Sequence, residues 1–293
     1  MTSSNRATLI GASALVIWST LAVLTTFTGA VPPFQLVAMT FPLAFVLAFI
    51  KWMIRRESPR AMLRQPIGAW ALGVGGLFVY HALLYLALRA APPLEANLLN
   101  YLWPLLIVLF SAPLAGEKLK PRHIAGAAAG LFGAGLLIAG KGGIAFDPRF
   151  LLGYGAAVAA AFTWSLYSVL NRKYGNVPSD AVAGFCGVTA IFALVCHLLF
   201  ETTVWPQGSQ WVAILALGLG PTGLAFFVWD YGCKHGNIRA LGALAYFTPL
   251  LSNGLLILFG EQPLSFRIAV AALLIIGGAA LGAGDLMRRG RAT

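Results

Sequence analysis

The sequence contains few charged residues. Asp, Glu, Lys and Arg make up 10% of its 293 residues, whereas 59% of the residues are hydrophobic, and the mean hydropathy is +0.82. So few polar side chains cannot cover the surface of a water-soluble globule of this length. The chain is therefore predicted to be embedded in a membrane.

Cysteine and clustered metal-binding residues are scarce as well. Cys186, Cys196 and Cys233 lie in or at the ends of apolar stretches without CxxC spacing, so neither a disulfide framework nor a metal knuckle is indicated. The sequence shows no cluster of His, Asp, Glu and Cys that could bind a metal ion or activate a nucleophile, which disfavours a membrane enzyme. We expect no cofactor, no metal and no enzymatic activity.

The middles of the hydrophobic stretches lack lysine and arginine. A site that holds phosphate or a nucleotide-sugar through charge-assisted hydrogen bonds is therefore not expected. The first stretch, 7–28, also lacks a carboxylate. It does not match a small multidrug pump that exchanges protons for cations through a glutamate of its first helix.

Ten hydrophobic stretches are about 20 residues long, enough for a helix to cross a hydrocarbon core of about 30 Å. They are continuously apolar and do not alternate with a period of two, which favours helices over a closed β-barrel. We predict an all-α integral membrane protein with ten transmembrane helices. The predicted spans are 7–28, 34–54, 68–90, 94–115, 123–140, 150–171, 180–201, 210–232, 240–259 and 266–287.

The chain has a net charge of +11. Its basic residues occupy every second connection between spans rather than one patch, which indicates membrane topology and not nucleic-acid binding. Of the 20 Lys and Arg, 16 lie on one side of the predicted membrane, and Arg89, Lys141, Arg149 and Arg267 lie on the other. The positive-inside rule then places both termini in the cytoplasm.

One stretch of the sequence occurs twice. Residues 101–119 are similar to residues 246–264, about 145 positions later. Tyr101 aligns with Tyr246, Pro104 with Pro249 and, after a slip of one residue, Glu117 with Glu261. The chain is therefore predicted to be a tandem duplication with five spans in each half.

An odd number of spans in each half makes the second half start on the opposite face of the membrane. We place the first repeat at 1–142 and the second, inverted repeat at 143–293, with a Gly-Gly and Asp-Pro turn near 141–150. Inverted repeats enclose a path near the bilayer midplane, so transport is the leading functional class.

Two motifs carry a resemblance to a known family. Each half has a Trp-Ser pair in its first helix, at Trp18 and at Trp164, and an aromatic-x-x-Pro-Leu-Leu sequence in its fourth. The chain resembles the drug/metabolite transporter superfamily, with two EamA-type repeats over nearly its whole length. The segment 100–104, together with 95–97, most resembles the YddG-type aromatic amino acid exporters.

That resemblance implies a bacterial inner-membrane exporter with a basket-shaped ten-helix fold. Four helices of each half would line a central cavity. The fifth helix of each half, 123–140 and 266–287, would stand outside it.

Few groups inside the spans can hydrogen-bond, so the polar and aromatic ones are candidates for contact with a substrate. His81 and Tyr85 share a helix face because they are four residues apart. Pro104 and Pro249 are predicted kinks, since proline removes a backbone donor and frees a carbonyl. The candidate substrate-binding residues are Trp18, His81, Tyr85, Asn97, Asn100, Tyr101, Trp103, Trp164, Tyr167 and Tyr246.

We therefore hypothesise an exporter of neutral, aromatic or hydrophobic amino acids and related metabolites that works by alternating access. The rings would stack on the substrate side chain, and Asn97, Asn100, Tyr101 and His81 would hydrogen-bond its amino and carboxyl groups. The predicted partners are a small-molecule substrate and the lipid bilayer, without nucleic acid, and a monomer is favoured.

Two alternatives stay open at this point. Aromatic rings also hold organic cations, so a multidrug exporter is one alternative. A membrane scaffold that transports nothing is the other. Coupling to protons through His81 and facilitated export down a gradient are both compatible with the sequence.

Overall fold

The structure is a computed structural model that describes residues 2–116, 118–138, 146–258 and 265–282. These residues form ten long helical segments, a short helix and no β-strand. The segments are α1 (Ser3–Thr26), α2 (Pro33–Arg55), α3 (Ile67–Ala90), α4 (Pro93–Ala115), α5 (Pro121–Ile138), α6 (Pro148–Tyr174), α7 (Ser179–Phe200), α8 (Gln210–His235), α9 (238–258) and α10 (Phe266–Gly282).

Each segment lies within a few residues of a predicted span. Seven of them, α1 to α4 and α6 to α8, are long and apolar enough to cross a membrane by length and composition alone. Glu117 and Glu261 of the repeated stretch lie outside the described residues. The same holds for 139–145 at the predicted repeat boundary and for 259 and 283–287 at predicted span ends.

The helix ends follow local chemistry. Pro33 and Pro93 stand in the first turns of α2 and α4, where a missing N–H costs no hydrogen bond within the helix. Gly116 ends α4 with a φ of 69°, a left-handed conformation that glycine adopts without steric cost. A short exposed helix, Pro59–Leu63, lies in the connection between α2 and α3.

Two kinds of irregularity recur at matching places in the two halves. The third helix of each half contains a π turn, Gly75–Val79 in α3 and Gly220–Leu224 in α8. The fourth helix of each half is broken. The breaks divide α4 into Pro93–Asn100 and Trp103–Ala115, and α9 into Ile238–Leu244 and Phe247–Leu258.

The two breaks refine the prediction of proline kinks. Pro104 and Pro249 do not bend continuous helices but stand in the first turn of the second segment of α4 and of α9. In a regular helix the Ala245 carbonyl would accept a hydrogen bond from the N–H of residue 249, which proline lacks. It accepts one from the Thr248 N–H at 3.1 Å instead.

Every helix of the first half packs against one of the second. Such pairs are α1 with α8, α3 with α6, α2 with α7, α4 with α6 and with α9, and α5 with α10. The largest hydrophobic cluster lies among the inner helices, and a second one joins α5, α9 and α10.

Small residues let these helices approach closely, as packing in lipid requires. A Cβ atom built on Gly11 of α1 would lie 2.7 Å from the Cα atom of Gly232 in α8. The equivalent crossing of α3 with α6 brings together the fully buried Ala87 and Ala157. Glycine therefore allows close packing at the α1–α8 crossing.

Replacing Gly11 by valine is expected to lower the free energy of unfolding by about 1–3 kcal/mol, because the larger side chain forces the two backbones apart. Thermal unfolding of the detergent-solubilised protein measures this. Gly155→Val is the matched control, since nothing lies within 4 Å of a Cβ atom at Gly155. Equal losses in the two variants would contradict the role of the Gly11–Gly232 crossing.

Candidate functional site

A cavity of about 370 Å³ lies between the two halves of the chain. This volume is in the range of small-molecule sites. Of the described residues, those that line it come from α1, α3, α4, α5, α6, α8 and α9. They are Trp18, Leu21, Tyr80, His81, Leu84, Asn97, Asn100, Tyr101, Trp103, Ile138, Trp164, Pro221, Thr222, Phe226, Thr248, Pro249, Ser252 and Asn253.

The set of lining helices differs from the one that the family resemblance implies. Four helices of each half were expected around the cavity, but α2 and α7 contribute no lining residue among those described. They pack against each other instead. Of the two predicted outer helices, α5 reaches the cavity with Ile138, the last residue described in that helix.

Stacked and edge-on aromatic rings close one end of the cavity. The ring centroid of Trp18 lies 5.6 Å from that of Trp164 and 5.2 Å from that of Trp229. Trp103 meets Trp229 edge to face at 5.8 Å. Trp229 is fully buried beneath the others. We call Trp18, Trp103, Trp164 and Trp229 the aromatic floor.

The π turn of α8 holds Trp18 in place. The Trp18 indole N–H donates to the Pro221 carbonyl at 2.9 Å, and Pro221 is the second residue of that turn. Irregular turns leave carbonyls that other parts of a membrane protein can satisfy. The irregular segment of α8 therefore sets the orientation of a ring in α1.

Seven of the ten candidate residues line this one cavity. They are Trp18, His81, Asn97, Asn100, Tyr101, Trp103 and Trp164, and the predicted kink Pro249 joins them. Residues from four different helices thus come together although they are up to 146 positions apart in the sequence.

Three candidates and one kink do not line the cavity. Tyr85 lies beside it, with its ring 5.7 Å from Phe34 and 6.0 Å from His81. Tyr167 is buried behind Trp164, at 5.3 Å. Tyr246 is fully buried in the cluster that joins α5, α9 and α10. Pro104 is buried too, and its carbonyl packs against Gly242 of α9.

The sequence reasoning missed several lining residues. Thr248 of α9 aligns with Trp103 in the repeated stretch, so aligning the two copies residue by residue could have found it. Ser252 and Asn253 align with Ile107 and Val108, which are buried and gave no such signal. Tyr80 precedes His81 and could have been included for its hydroxyl group. Phe226 carries no local signal, because it resembles every other apolar residue of its helix.

Uncharged polar groups sit at the two helix breaks. The Asn100 amide donates to the Tyr80 hydroxyl at 3.3 Å. The Asn100 Oδ1 and Thr248 Oγ1 atoms are buried and have no hydrogen-bond partner among the described residues. Leaving such an atom unpaired costs about 1–3 kcal/mol, so a ligand that pairs it gains affinity.

His81 is held by its own helix. Its Nδ1 atom lies 2.7 Å from the Leu77 carbonyl. A carbonyl only accepts, so Nδ1 carries the proton, and the Nε2 atom of the neutral ring is an acceptor. Its ring meets Phe41 edge to face at 5.1 Å.

Charged side chains are missing from the described part of the cavity wall. In residues 2–116, 118–138, 146–258 and 265–282, no three His, Cys, Asp or Glu residues are grouped so that they could hold a metal ion. The chemistry on offer is aromatic contact and hydrogen bonding by neutral groups.

Comparison with known proteins gives a consistent result. The model of the EamA-like transporter family matches the chain twice, over residues 5–139 and 151–283. An aromatic amino acid exporter YddG of Ancylobacter novellus is 50% identical over 280 residues, which are 95% of this chain and 97% of the relative. The protein of the same name from Escherichia coli K12 is 30% identical, and the match covers 94% of this chain and 96% of that one.

A solved crystal structure has the same fold. It superposes with a TM-score of 0.93 at 49% sequence identity. The match covers 98% of this chain and 99% of the other.

Replacing Trp18 by phenylalanine keeps an aromatic ring in the floor but removes the donor to Pro221. We expect a loss of about 1 kcal/mol in the free energy of unfolding, the usual contribution of one hydrogen bond. Thermal unfolding in detergent measures it. Trp211→Phe is the control, since Trp211 is 42% exposed. A Trp18→Phe variant as stable as this control would show that the hydrogen bond contributes nothing.

Proposed function

Because the chain belongs to the EamA-like transporter family, we propose that it exports neutral amino acids with aromatic or hydrophobic side chains and related metabolites. The protein is a multi-pass protein of the bacterial inner membrane. Its relatives from A. novellus and E. coli are both named aromatic amino acid exporters. The observation that carries the proposal is an uncharged cavity with an aromatic floor and unpaired polar atoms above it.

The cavity offers a complement to each part of such a substrate. The rings of Trp18, Trp164 and Phe226 would contact the substrate side chain, and each aromatic pair contributes about 0.5–1.5 kcal/mol beyond burial. The Asn100 Oδ1 atom accepts, so it can receive an ammonium N–H. The Thr248 hydroxyl can donate to the carboxylate.

The absence of charge from the described cavity wall fits a zwitterion. A substrate with one positive and one negative group carries no net charge into the membrane. A site with a fixed charge would favour an anion or a cation over it, because an unpaired buried charge is costly. Transport breaks no covalent bond, so we propose no catalytic residue and no cofactor.

We further propose alternating access by two inverted repeats, 1–142 and 143–293, with ten spans and both termini in the cytoplasm. Two observations support the duplication. The π turns of α3 and α8 occupy matching positions, and so do the breaks of α4 and α9. The pairing of helices between halves is also symmetric, because α1 packs with α8 as α3 packs with α6.

This topology assigns a direction to the cavity. With the N terminus in the cytoplasm, Leu21 lies beyond Trp18 toward the outer end of α1, and Asn97 lies near the outer end of α4. Both line the cavity. The aromatic floor lies on the cytoplasmic side of these residues, so the cavity opens outward. We propose that the monomer is the functional unit, since the described residues of one chain already form a cavity.

The topology can be tested with single cysteines in a variant whose three natural cysteines are replaced by alanine. Gln207→Cys, between α7 and α8, should react with a membrane-impermeant thiol reagent in intact cells. Ser58→Cys, between α2 and α3, should react only after the membrane is permeabilised. Labelling of both, or of Ser58→Cys alone, in intact cells would reject the proposed orientation.

Transport itself is measured in proteoliposomes with labelled phenylalanine, tryptophan, threonine and glutamate, against empty vesicles. We expect phenylalanine and tryptophan to move and glutamate not to move. Trp164→Ala should raise KM for phenylalanine about tenfold, because it removes ring contacts from the floor. Trp205→Ala is the control, since Trp205 is 71% exposed.

Three outcomes would contradict the proposal in different ways. Normal transport by Trp164→Ala would reject the role of the aromatic floor. Movement of organic cations without amino acids would favour a multidrug exporter. No movement of any solute above empty vesicles would favour a membrane scaffold.

A further inference from the structure

The third helix of each half has a basic residue at the same position near its end. Arg89 of α3 lies ten residues after the π turn Gly75–Val79, and Lys234 of α8 lies ten residues after the π turn Gly220–Leu224. In the proposed topology the two residues stand at opposite ends of the membrane. Their surroundings in the structure are different.

Lys234 is locked in the protein interior. Its side chain is 1% exposed, and its Nζ atom lies 2.9 Å from Asp230 Oδ2. It also donates to the Val177 carbonyl at 3.0 Å, in the connection that leads to α7. The Asn171 amide of α6 donates to Asp230 Oδ1 at 2.6 Å. These bonds join α6, α8 and the start of α7 on the cytoplasmic side of the floor.

We call Asn171, Val177, Asp230 and Lys234 the inner lock. It lies directly below the aromatic floor. Asp230 follows Trp229 in the chain, and the Trp229 indole N–H donates to the Ser168 hydroxyl of α6 at 3.1 Å. A solute leaving the cavity toward the cytoplasm would have to pass the rings and then this group. The inner end of the path is therefore closed by Lys234 and its partners.

Arg89 has a more open environment at the outer end. Its side chain is 57% exposed, and its Nη2 atom lies 3.7 Å from the Glu201 carboxylate at the end of α7. The counterpart of Val177 in the first half is Val31, since each stands thirteen residues after the Trp-Ser tryptophan and directly before a proline. Among the described residues, Arg89 makes no hydrogen bond to Val31.

Glu201 is positioned to guide Arg89 toward that carbonyl. Its carboxylate accepts from the backbone N–H groups of Phe34 and Gln35, at 3.1 Å each. These residues begin α2, three and four positions after Val31. Arg89 therefore already contacts a carboxylate anchored next to its predicted partner.

We infer that Arg89 and Lys234 are a pair of gate residues that exchange roles during transport. When the cavity opens to the cytoplasm, Lys234 leaves the Val177 carbonyl, and Arg89 moves to the Val31 carbonyl and closes the outer end. The inference rests on the proposed alternating access, in which each repeat adopts the conformation of the other. Both residues position helices and do not contact substrate.

The contacts that hold Lys234 and Arg89 differ in strength. Lys234 has a carboxylate one turn away on its own helix, whereas Tyr85 occupies the equivalent position one turn before Arg89. Arg89 depends on a carboxylate from a different helix. The inner lock is therefore the stronger one, and the resting protein opens outward.

The test compares Arg89→Gln with Lys234→Gln in a variant that lacks Cys186, Cys196 and Cys233 and carries Leu21→Cys in the cavity wall. An impermeant thiol reagent added outside reports how often the cavity opens outward. Lys234→Gln should shift the equilibrium about tenfold toward the inward-open form, the effect of losing a hydrogen bond from a charged group, and so slow labelling. Arg89→Gln should not slow it.

A second labelling measurement tests Arg89, the proposed gate residue at the outer end. Saturating phenylalanine inside the vesicles should slow the labelling of Leu21→Cys in the parent chain as inward-open forms accumulate. The Arg89→Gln variant should show less than half of this slowing, and its export should fall. Arg149→Gln is the control, because Arg149 is 82% exposed on the same face and pairs with Asp147. That control should behave as the parent chain.

Lys234→Gln leaves the Asp230 carboxylate without its cationic partner, so the double variant Lys234→Gln with Asp230→Asn is measured beside it and should show the same slow labelling. The gate assignment is rejected if Arg89→Gln and Lys234→Gln change labelling in the same direction, or if Arg89→Gln matches Arg149→Gln when phenylalanine is inside the vesicles. The two variants could also shift the labelling rate in opposite directions in a protein that moves no amino acid. That result would support the gate residues and reject the proposed substrate.

Discussion

Lipid offers no hydrogen bonds to the backbone, and the irregular parts of these helices depend on partners elsewhere in the protein. The Pro221 carbonyl in the π turn of α8 accepts from Trp18. The Trp103 carbonyl at the break in α4 lies 2.9 Å from the Ser165 hydroxyl. These irregular segments meet at the cavity. The need to satisfy every backbone hydrogen-bonding group in lipid keeps the rest of each helix regular, and it also determines where the cavity lies.

Side-chain size and polarity then give the cavity its shape. Gly11 and Gly232 bring α1 and α8 into backbone contact at one crossing, and the small side chains of Ala87 and Ala157 are buried where α3 packs against α6. Between the crossings, large aromatic rings fill the space and form the floor. The Lys, Arg, Asp and Glu side chains described near it lie beyond the cavity wall, where they join helix ends.

Much of this arrangement could be predicted from the sequence. Hydrophobic length placed every helical segment to within a few residues, because in lipid each span must satisfy its own backbone. The Trp-Ser motifs and the repeated fourth helix identified part of the cavity wall, including Trp164 and Asn100. Spacing along one helix failed for Tyr85 and Tyr167, since it says which residues share a face but not which neighbour covers that face.

The sequence by itself determined the membrane environment, the duplication and the aromatic character of the site, because composition and period depend on local chain chemistry. Only the tertiary structure decided that Tyr246 is buried against α5 and α10 while Thr248, two residues later, reaches the cavity. It also decided that Lys234 is buried and Arg89 exposed, although their positions in the repeats match. The reason is physical: burial depends on contacts between helices far apart in the chain, and two similar halves can make different contacts within one conformation.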